Sequence, residues 1–394
     1  EQGQTLIHRV DPGAHDMHLL DNTLRDGEQT PGVAFNRTQK TRIIELLCAV
    51  GVTDAEVGYP AVSDEERRTI SCIARESFPI RLHALCRLSR RDIDSALECG
   101  VSHLTVFVPT GRSAREALFG SLQLEGGIDT IRELVGYAVS QGAIVKFSCE
   151  HASQHWRGDP GLFSAYVAAY ETGASTVSIP DTAGILLTDE VPLLLQKMRQ
   201  HLTCDISVHF HNDLGLATAN TVAAAAAGAT ELQVCVNGLG ERAGNASLEE
   251  VAYLMCHRYG RLPPLDFIAL KRLSDYVYDA SGLQPGFNKP FWGQNAFAHE
   301  SGIHVAAIEA GEEHLYSALP ARMIGREISI LLGKHAGLAN IRMFVRKHGI
   351  TASDAQLKSA LSLLKDIVEQ NGALCPRDSE SRLLDFFGKT DATT

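Results

Sequence analysis

Long apolar runs are missing from these 394 residues. Nothing approaches the roughly eighteen consecutive apolar side chains of a membrane-spanning helix, so no membrane partner is expected. The opening EQGQTLIHRVDPGAHD has neither a basic start nor an apolar stretch, so no secretory signal is expected. Paired cysteine motifs are also missing: nine cysteines are scattered along the chain, odd in number and without a C-x-x-C. That excludes a disulfide framework or a zinc ribbon and points to free thiols in a reducing, cytoplasmic compartment. Positive charge is in deficit, 36 Lys and Arg against 47 Asp and Glu, a net charge of −11. A chain built to hold nucleic acid by neutralising phosphates is thereby excluded, and any anionic substrate has to be met by a local cationic pocket.

What remains is ordinary globular composition, 44% hydrophobic and 21% charged, which excludes disorder. The length exceeds what one core usually organises, so a large domain with an appendage is expected. Short apolar runs recur about every thirty residues, each followed by an amphipathic stretch, and this alternation marks repeated βα units around a parallel sheet. Eight such runs begin at His18, Val52, Arg81, His103, Ile144, Ser175, Asp205 and Glu231. Helical segments such as TQKTRIIELLCAVG, DEERRTISCIARES and IDTIRELVGYAVSQG lie between them, and NTVAAAAAGA reads as a helix packed on the barrel wall. The expected fold is α/β, a (β/α)₈ TIM barrel over residues 17–268, with a smaller, mostly helical C-terminal region over 269–394. The terminal stretch CPRDSESRLLDFFGKTDATT is polar and carries no structural expectation.

Polar residues gather at the C-terminal ends of the strands, where barrel enzymes keep their chemistry: Arg25 and Asp26, Glu56, Arg87, Glu150, Asp181 and Thr182, His209 and His211, and Asn237. His209 and His211 are two apart on a strand-like run, so both imidazoles face the same side. Barrel closure brings Asp26 beside them as a third ligand, and Asn245, in the glycine-rich NGLGERAGN loop, offers a neutral oxygen. This donor set suits a divalent ion, Mn²⁺, Zn²⁺, Co²⁺ or Mg²⁺. An H-x-H pair by itself is also what two satisfied polar residues would give; its place on the seventh strand favours metal. Arg25 and Asp26 are alternatively a structural ion pair at the barrel mouth.

Four stretches in this order, DNTLRDGEQTPGVAF, VHFHNDLGLATAN, NGLGERAGN and AFAHESGIH, resemble the acyl-CoA condensing enzymes that include homocitrate synthase and 2-isopropylmalate synthase. The likeness covers nearly the whole chain. CRL, GLATANT, NGLGERAGNA and GIHV are similar to the nitrogen-fixation type of homocitrate synthase in particular. The resemblance implies a Claisen condensation of acetyl-CoA with a 2-oxo acid, a divalent metal at Asp26, His209, His211 and Asn245, and Arg25 sharing the developing charge. It implies Thr182 and Ser148 as substrate-binding residues, with Thr182 on the oxo-acid carboxylate, and Glu150 in proton transfer near acetyl-CoA. It also implies His304 and Tyr316 reaching the active site of the other subunit of a homodimer.

The chain ends before the leucine-binding domain usual in isopropylmalate synthases, so leucine feedback is not expected. Asp26, Lys146 and Arg87 stand where lysine-pathway homocitrate synthases typically carry Glu, Arg and His. Where many relatives read EDAS followed by Arg, this chain reads Glu150-His151-Ala152-Ser153-Gln154. Arg87, Lys146 and Arg112 are then the cations expected to read a second acidic group, which makes 2-oxoglutarate the lead acceptor. Alternatives are other acceptors (phosphonopyruvate, or those of isopropylmalate, citramalate or benzylmalate synthases), a lyase of the 3-hydroxy-3-methylglutaryl-CoA lyase type, and a non-catalytic barrel. His299, His83, His103 and His151 are expected to be mainly structural, and Glu241 and Arg242 are evenly balanced between loop and site; Lys334 and His335, in LGKHAG, resemble a family motif and carry no assigned role.

Overall fold

The computed structural model describes residues 17–109, 116, 118, 127–371 and 376–391. Arg112 lies outside them, as does Cys375. The chain divides into two units, Glu1–Gln284 and Pro285–Thr394.

The first unit is a closed parallel barrel of eight strands in sequence order. They are β1 His18–Asp21, β2 Asp54–Glu56, β3 Arg81–Arg87, β4 His103–Val108, β5 Ile144–Cys149, β6 Thr176–Asp181, β7 Asp205–Phe210 and β8 Glu231–Val234. β1 closes on β8 with His18 opposite Glu231 and Asp21 opposite Val234. All eight expected strands form, shorter than the sequence runs, because the C-terminal portion of each run leaves the ladder as a polar loop. The intervening helices start where their caps dictate. The Asn36 side chain and Gln39 form a reciprocal capping box on Arg37–Val50, Ser63 caps Asp64–Arg75, and Ser89 caps Arg90–Glu98. NTVAAAAAGA folds as the helix Ala217–Ala226, with Ala224 and Ala225 fully buried.

The barrel interior is unusually polar. Pairing aligns Lys146 with Thr105 and Thr176, and Ser148 with Phe107 and Ser178; Ser207 stands opposite both Ser178 and Glu231. Residues two apart share a face, so one inward layer carries Lys146 and Glu231 and the next carries Ser148, Ser178 and Gln233. Each deep group is answered by another. Lys146 pairs with Glu231, both about 4% exposed, and Glu231 also accepts from Ser207 at 2.6 Å and lies 3.2 Å from His18. At β2 and β3 the Asp54 carboxylate holds Arg81 at 2.7 Å and His83 at 3.0 Å.

The unit boundary falls later than the expected 17–268 and 269–394. The helix Phe267–Ser281 belongs to the barrel unit: Gln39 Nε2 donates to the Ala280 carbonyl at 3.5 Å, Asp266 N to Val50 O, and Asn237 Nδ2 to Ser274 O. Its buried Leu270, Leu273 and Val277 recur at helical spacing and cover the barrel wall.

The second unit is mostly helical, as expected, with helices Gly302–Glu309, Leu338–Lys347, Asp354–Asn371 and Pro376–Asp391. The polar terminal stretch proves to be part of the core. Leu383 and Phe387, four apart on Pro376–Asp391, are buried with Ile341, Phe344, Leu357 and Leu364. A narrow two-residue stripe in a charged helix is easily overlooked in sequence.

Burial alone would raise the Glu231 pKa, but Lys146 together with His18 and His83 holds the carboxyl well below the ordinary 4.5. A lowered folded-state pKa gives stability that is full above that ordinary value and lost as pH falls through the folded one. Lys146→Ala removes the main counter-charge of a buried carboxylate and is expected to cost about 3–5 kcal/mol in urea unfolding at pH 7. The double change Lys146→Met with Glu231→Leu is expected to recover most of it. A loss below about 1 kcal/mol for the single variant would show that the pair does not support the floor.

Candidate active site

A cleft with about 670 Å³ of space, part of it open to solvent, sits at the C-terminal ends of the strands. Strand parity builds its walls: Leu85, Thr105, Phe107, Ser148, Ser178, Pro180, His209 and Gln233 all stand on the inward face, while Arg25, Asp26, Gln29, Glu150, Thr182, His211, Glu241 and Arg242 come from the loops or from just past the strand ends.

At its heart Asp26, His209 and His211, all buried, bring a carboxylate oxygen and two imidazole nitrogens within 4.8 Å of one another. Asp26 Oδ2 lies 3.2 Å from His209 Nε2 and 3.6 Å from His211 Nε2, and the two Nε2 atoms are 3.1 Å apart. Burial pushes His211 down to about 4, reinforced by His209, so its imidazole is neutral and available as a ligand at neutral pH. Burial also opposes ionisation of Asp26, yet Arg25 and His209 hold its carboxyl well below the usual range. A neutral imidazole beside an ionised carboxylate is the ligand state that a divalent cation requires.

Two oxygens test that reading. Asp26 Oδ1 and Asn245 Oδ1 are both buried without a hydrogen-bond partner, a costly condition that a cation would relieve. Asn245 is bridged to His211 and donates from Nδ2 to Leu239 O at 2.9 Å, leaving its oxygen as the uncommitted atom. The four residues singled out in sequence thus fit a divalent ion. The tight loop that carries Asn245 needs glycine: a Cβ on Gly244, at φ 89°, would run into the Gly238 carbonyl.

Arg25 is fixed from both sides, with Nε donating to Glu56 Oε2 at 2.5 Å and Nη1 lying 3.4 Å from Asp26 Oδ2. Glu56 is 1% exposed; burial would raise its pKa, and Arg25, followed by Lys146, keeps it low. The ion-pair reading of Arg25 and Asp26 therefore holds together with the pocket reading. Thr182 Oγ1 accepts the His151 backbone N–H at 2.8 Å, which leaves its own hydroxyl hydrogen free to be donated. Glu150 lines the cleft, and burial raises its pKa, so it takes up a proton more readily than a surface carboxylate.

Two expected substrate readers are placed elsewhere. Lys146 is in the deeper layer, neutralised by Glu231, because two residues along a strand separate it from pocket-lining Ser148. Arg87 continues the inward series past Leu85 but clears the cleft; its guanidinium is 57% exposed and grips Asp92 at 2.8 and 3.1 Å, in the first turn of the helix that Ser89 caps. Arg112 lies outside the described residues. His304 and Tyr316 belong to the second unit, where their rings stack with centroids 4.1 Å apart and Tyr316 is 37% exposed. Sequence reasoning missed Gln29, Thr105, Ser178 and Gln233 as lining residues. Gln233 takes the Asn22 amide at 2.7 Å and donates to Ser178 and Ser207 at 3.0 and 2.8 Å. For Thr105, Ser178 and Gln233 the available signal was strand parity; Gln29, in the turn Gly27–Gln29, had none.

A parallel barrel with a carboxylate and two histidines at its mouth defines a metal-centred barrel enzyme class. Residues 16–277 match the HMGL-like family model and residues 291–372 the homocitrate synthase post-HMGL domain-like model. The chain belongs to the HMGL-like family and carries the companion domain of the homocitrate synthases. It is 36% identical to homocitrate synthase AksA of Methanosarcina mazei over 96% of this chain and 93% of that protein. It is likewise 36% identical to the putative (R)-citramalate synthase CimA of Methanopyrus kandleri, over 95% of this chain and 73% of that protein. Among solved structures, the HMG-CoA lyase of Bacillus subtilis superposes with a TM-score of 0.59 at 20% identity, over 68% of this chain and 94% of that one, a likeness of fold.

His211→Ala and Asp26→Asn are each expected to lower divalent-metal affinity at least tenfold, measured by metal content after dialysis against a graded chelator. The thermal transition of metal-free His211→Ala should change little, since His211 lies just past the end of β7. Full retention of metal by His211→Ala would remove it from the ligand set.

Proposed function

We propose that this chain condenses acetyl-CoA with a 2-oxo acid and releases CoA. The observation that carries this reading is the Asp26, His209 and His211 cluster beside Arg25 in the cleft of a chain whose relatives are named homocitrate and citramalate synthases. In the reaction the methyl carbon of acetyl-CoA loses a proton and attacks the ketone carbon, and the ketone oxygen gains a proton. Water then cleaves the thioester C–S bond, giving the new carboxylate and CoA thiol.

A divalent ion held by Asp26, His209, His211 and Asn245 would supply Lewis acidity and a chelation point for the 2-oxo acid. Arg25, held between Glu56 and Asp26, adds fixed positive charge where the ketone oxygen becomes negative, and its rigidity means that no reorganisation is needed at that moment. Thr182 offers its hydroxyl hydrogen to the acceptor's carboxylate, with Ser148 nearby on the wall. Glu150, with its raised pKa, is the carboxyl suited to moving the proton at the acetyl end. Completion of the site by His304 and Tyr316 from a second copy, in a homodimer, belongs to the same proposal; its support is their stacked arrangement at an exposed position.

The acceptor proposed first is 2-oxoglutarate, supported by the relatives named homocitrate synthase. A shorter acceptor, pyruvate, is the second reading, favoured by one observation: Lys146 and Arg87 are already neutralised by Glu231 and Asp92. The free cysteines support a reducing, cytoplasmic setting.

Thiol release from acetyl-CoA with a metal-loaded enzyme and a panel of 2-oxoglutarate, pyruvate, 2-oxoisovalerate, oxaloacetate and phosphonopyruvate tests the reading. Release that depends on one of these acceptors is expected, and none with any acceptor would overturn it. His304→Ala should lose at least 100-fold in kcat, and co-refolding it with equally inactive His211→Ala should restore activity. Failure of that complementation, with dimers formed, would put His304 outside a shared site.

A further inference from the structure

Arg242 stands at a junction of three loops. Its Nε and Nη2 grip both oxygens of Asp213 at 2.8 Å each, and Nη2 also donates to the Thr182 carbonyl at 2.8 Å. Asp213 belongs to the loop two residues beyond His211, Thr182 follows β6, and Arg242 precedes Asn245 by three residues after β8. The contacts around it are mutually consistent: Asn212 N donates to Gly244 O at 2.8 Å, His211 bridges Asn245, and Thr182 Oγ1 takes the His151 N–H.

Local backbone conformations show what this costs. Arg242 has φ 55° and His151 has φ 55°, left-handed conformations that non-glycine residues adopt only when their surroundings impose them. Gly184, at φ 61°, leaves no room for a side chain, since a Cβ would lie 2.6 Å from Asp213 Oδ2 and 3.0 Å from the His211 carbonyl. The guanidinium is 44% exposed, so the ion pair as such contributes little to folding stability. An exposed pair that adds little stability, on a strained backbone and at the rim of the cleft, has its effect on geometry.

We propose that Arg242 is a positioning residue: together with Asp213 it staples the loops after β6, β7 and β8, fixing Thr182 for the acceptor and holding Asn245 beside His211 for the metal. The bidentate fork is essential, because a lysine supplies charge but cannot span Asp213 and the Thr182 carbonyl together. This rests on the condensation reading for its kinetic part and on the metal reading for its binding part, and each part has its own measurement.

The test compares wild type with Arg242→Lys, Arg242→Ala, Asp213→Asn and the double variant Arg242→Ala with Asp213→Asn. Mn²⁺ affinity is titrated into chelator-treated protein, which needs no turnover, and KM for the acceptor and kcat are read separately. Each single variant is expected to weaken Mn²⁺ binding about 10-fold and to raise acceptor KM about 10-fold more than it raises acetyl-CoA KM, with the thermal transition shifted by only a few degrees. The double variant should be no worse than the poorer single, because both act through one staple. Wild-type affinity in Arg242→Lys, or additive losses in the double variant, would overturn the proposal. A wild type that binds Mn²⁺ but turns over no acceptor would overturn the condensation reading and leave the staple to be judged on affinity. A variant that unfolds is replaced in the comparison by Arg242→Lys, which keeps the charge and the aliphatic stem.

Discussion

Burial of one ionised carboxylate organises this molecule. Asp26 is 1% exposed, and an isolated carboxylate there would be neutralised by a proton before it could be tolerated. It remains ionised because Arg25 is beside it, and Arg25 in turn is tolerable because Glu56 takes its other edge. Each charge makes the next necessary. The chain of compensation ends with one Asp26 oxygen unsatisfied and with two histidines whose ring nitrogens approach each other to 3.1 Å. A small cation would balance what the protein leaves uncompensated, and that uncovered oxygen beside two imidazoles is what makes the cluster a candidate metal site.

The same logic extends down the barrel. A parallel barrel is normally filled by branched apolar layers, and this one instead spends two layers on Lys146, Glu231, Ser207, Gln233 and Ser178, each paired to a neighbour. A network whose buried charges are paired is rigid and specific in geometry. It also removes its members from the substrate: a lysine neutralised in the floor has no charge left to offer above it. The charge available to an anionic substrate is therefore set by how completely the protein has already answered its own cations.

The fold was legible in the sequence because it rests on a repeated signal. Eight apolar runs with intervening amphipathic stretches each carry the period of their element, and the repetition corrects errors in any one of them. The cluster that could hold a metal was legible for a different reason: parity along β7 puts His209 and His211 on one side, and barrel closure brings β1 to β8. The substrate readers were less legible. Arg87 and Lys146 do lie on strands, yet whether a side chain is free depends on partners distant in sequence or on a following helix, Asp92 in a helix's first turn and Glu231 on β8. The helix Pro376–Asp391 was missed because the apolar side chains it buries among the described residues, Leu383 and Phe387, stand amid charged ones. The helix Phe267–Ser281 was assigned to the wrong unit because periodicity shows that a face is apolar and leaves open what covers it.

Discrimination between acceptors must accordingly reside in elements that the barrel does not fix. The ladder determines the directions of His209, Ser148 and Ser178 to within the rigidity of hydrogen-bonded strands, and those directions serve any 2-oxo acid equally. Thr182, Glu150, Glu241 and Arg242 come from the β5, β6 and β8 ends, where conformation is set by single side-chain contacts and by backbone held at φ near 55°. A substitution there moves a wall of the cleft without disturbing the chemistry beneath it. His151 is such a position: its backbone N–H holds Thr182 Oγ1, a contact made by the main chain that survives exchange of the His151 side chain. Conserved chemistry with a changed acceptor is what that separation of roles permits.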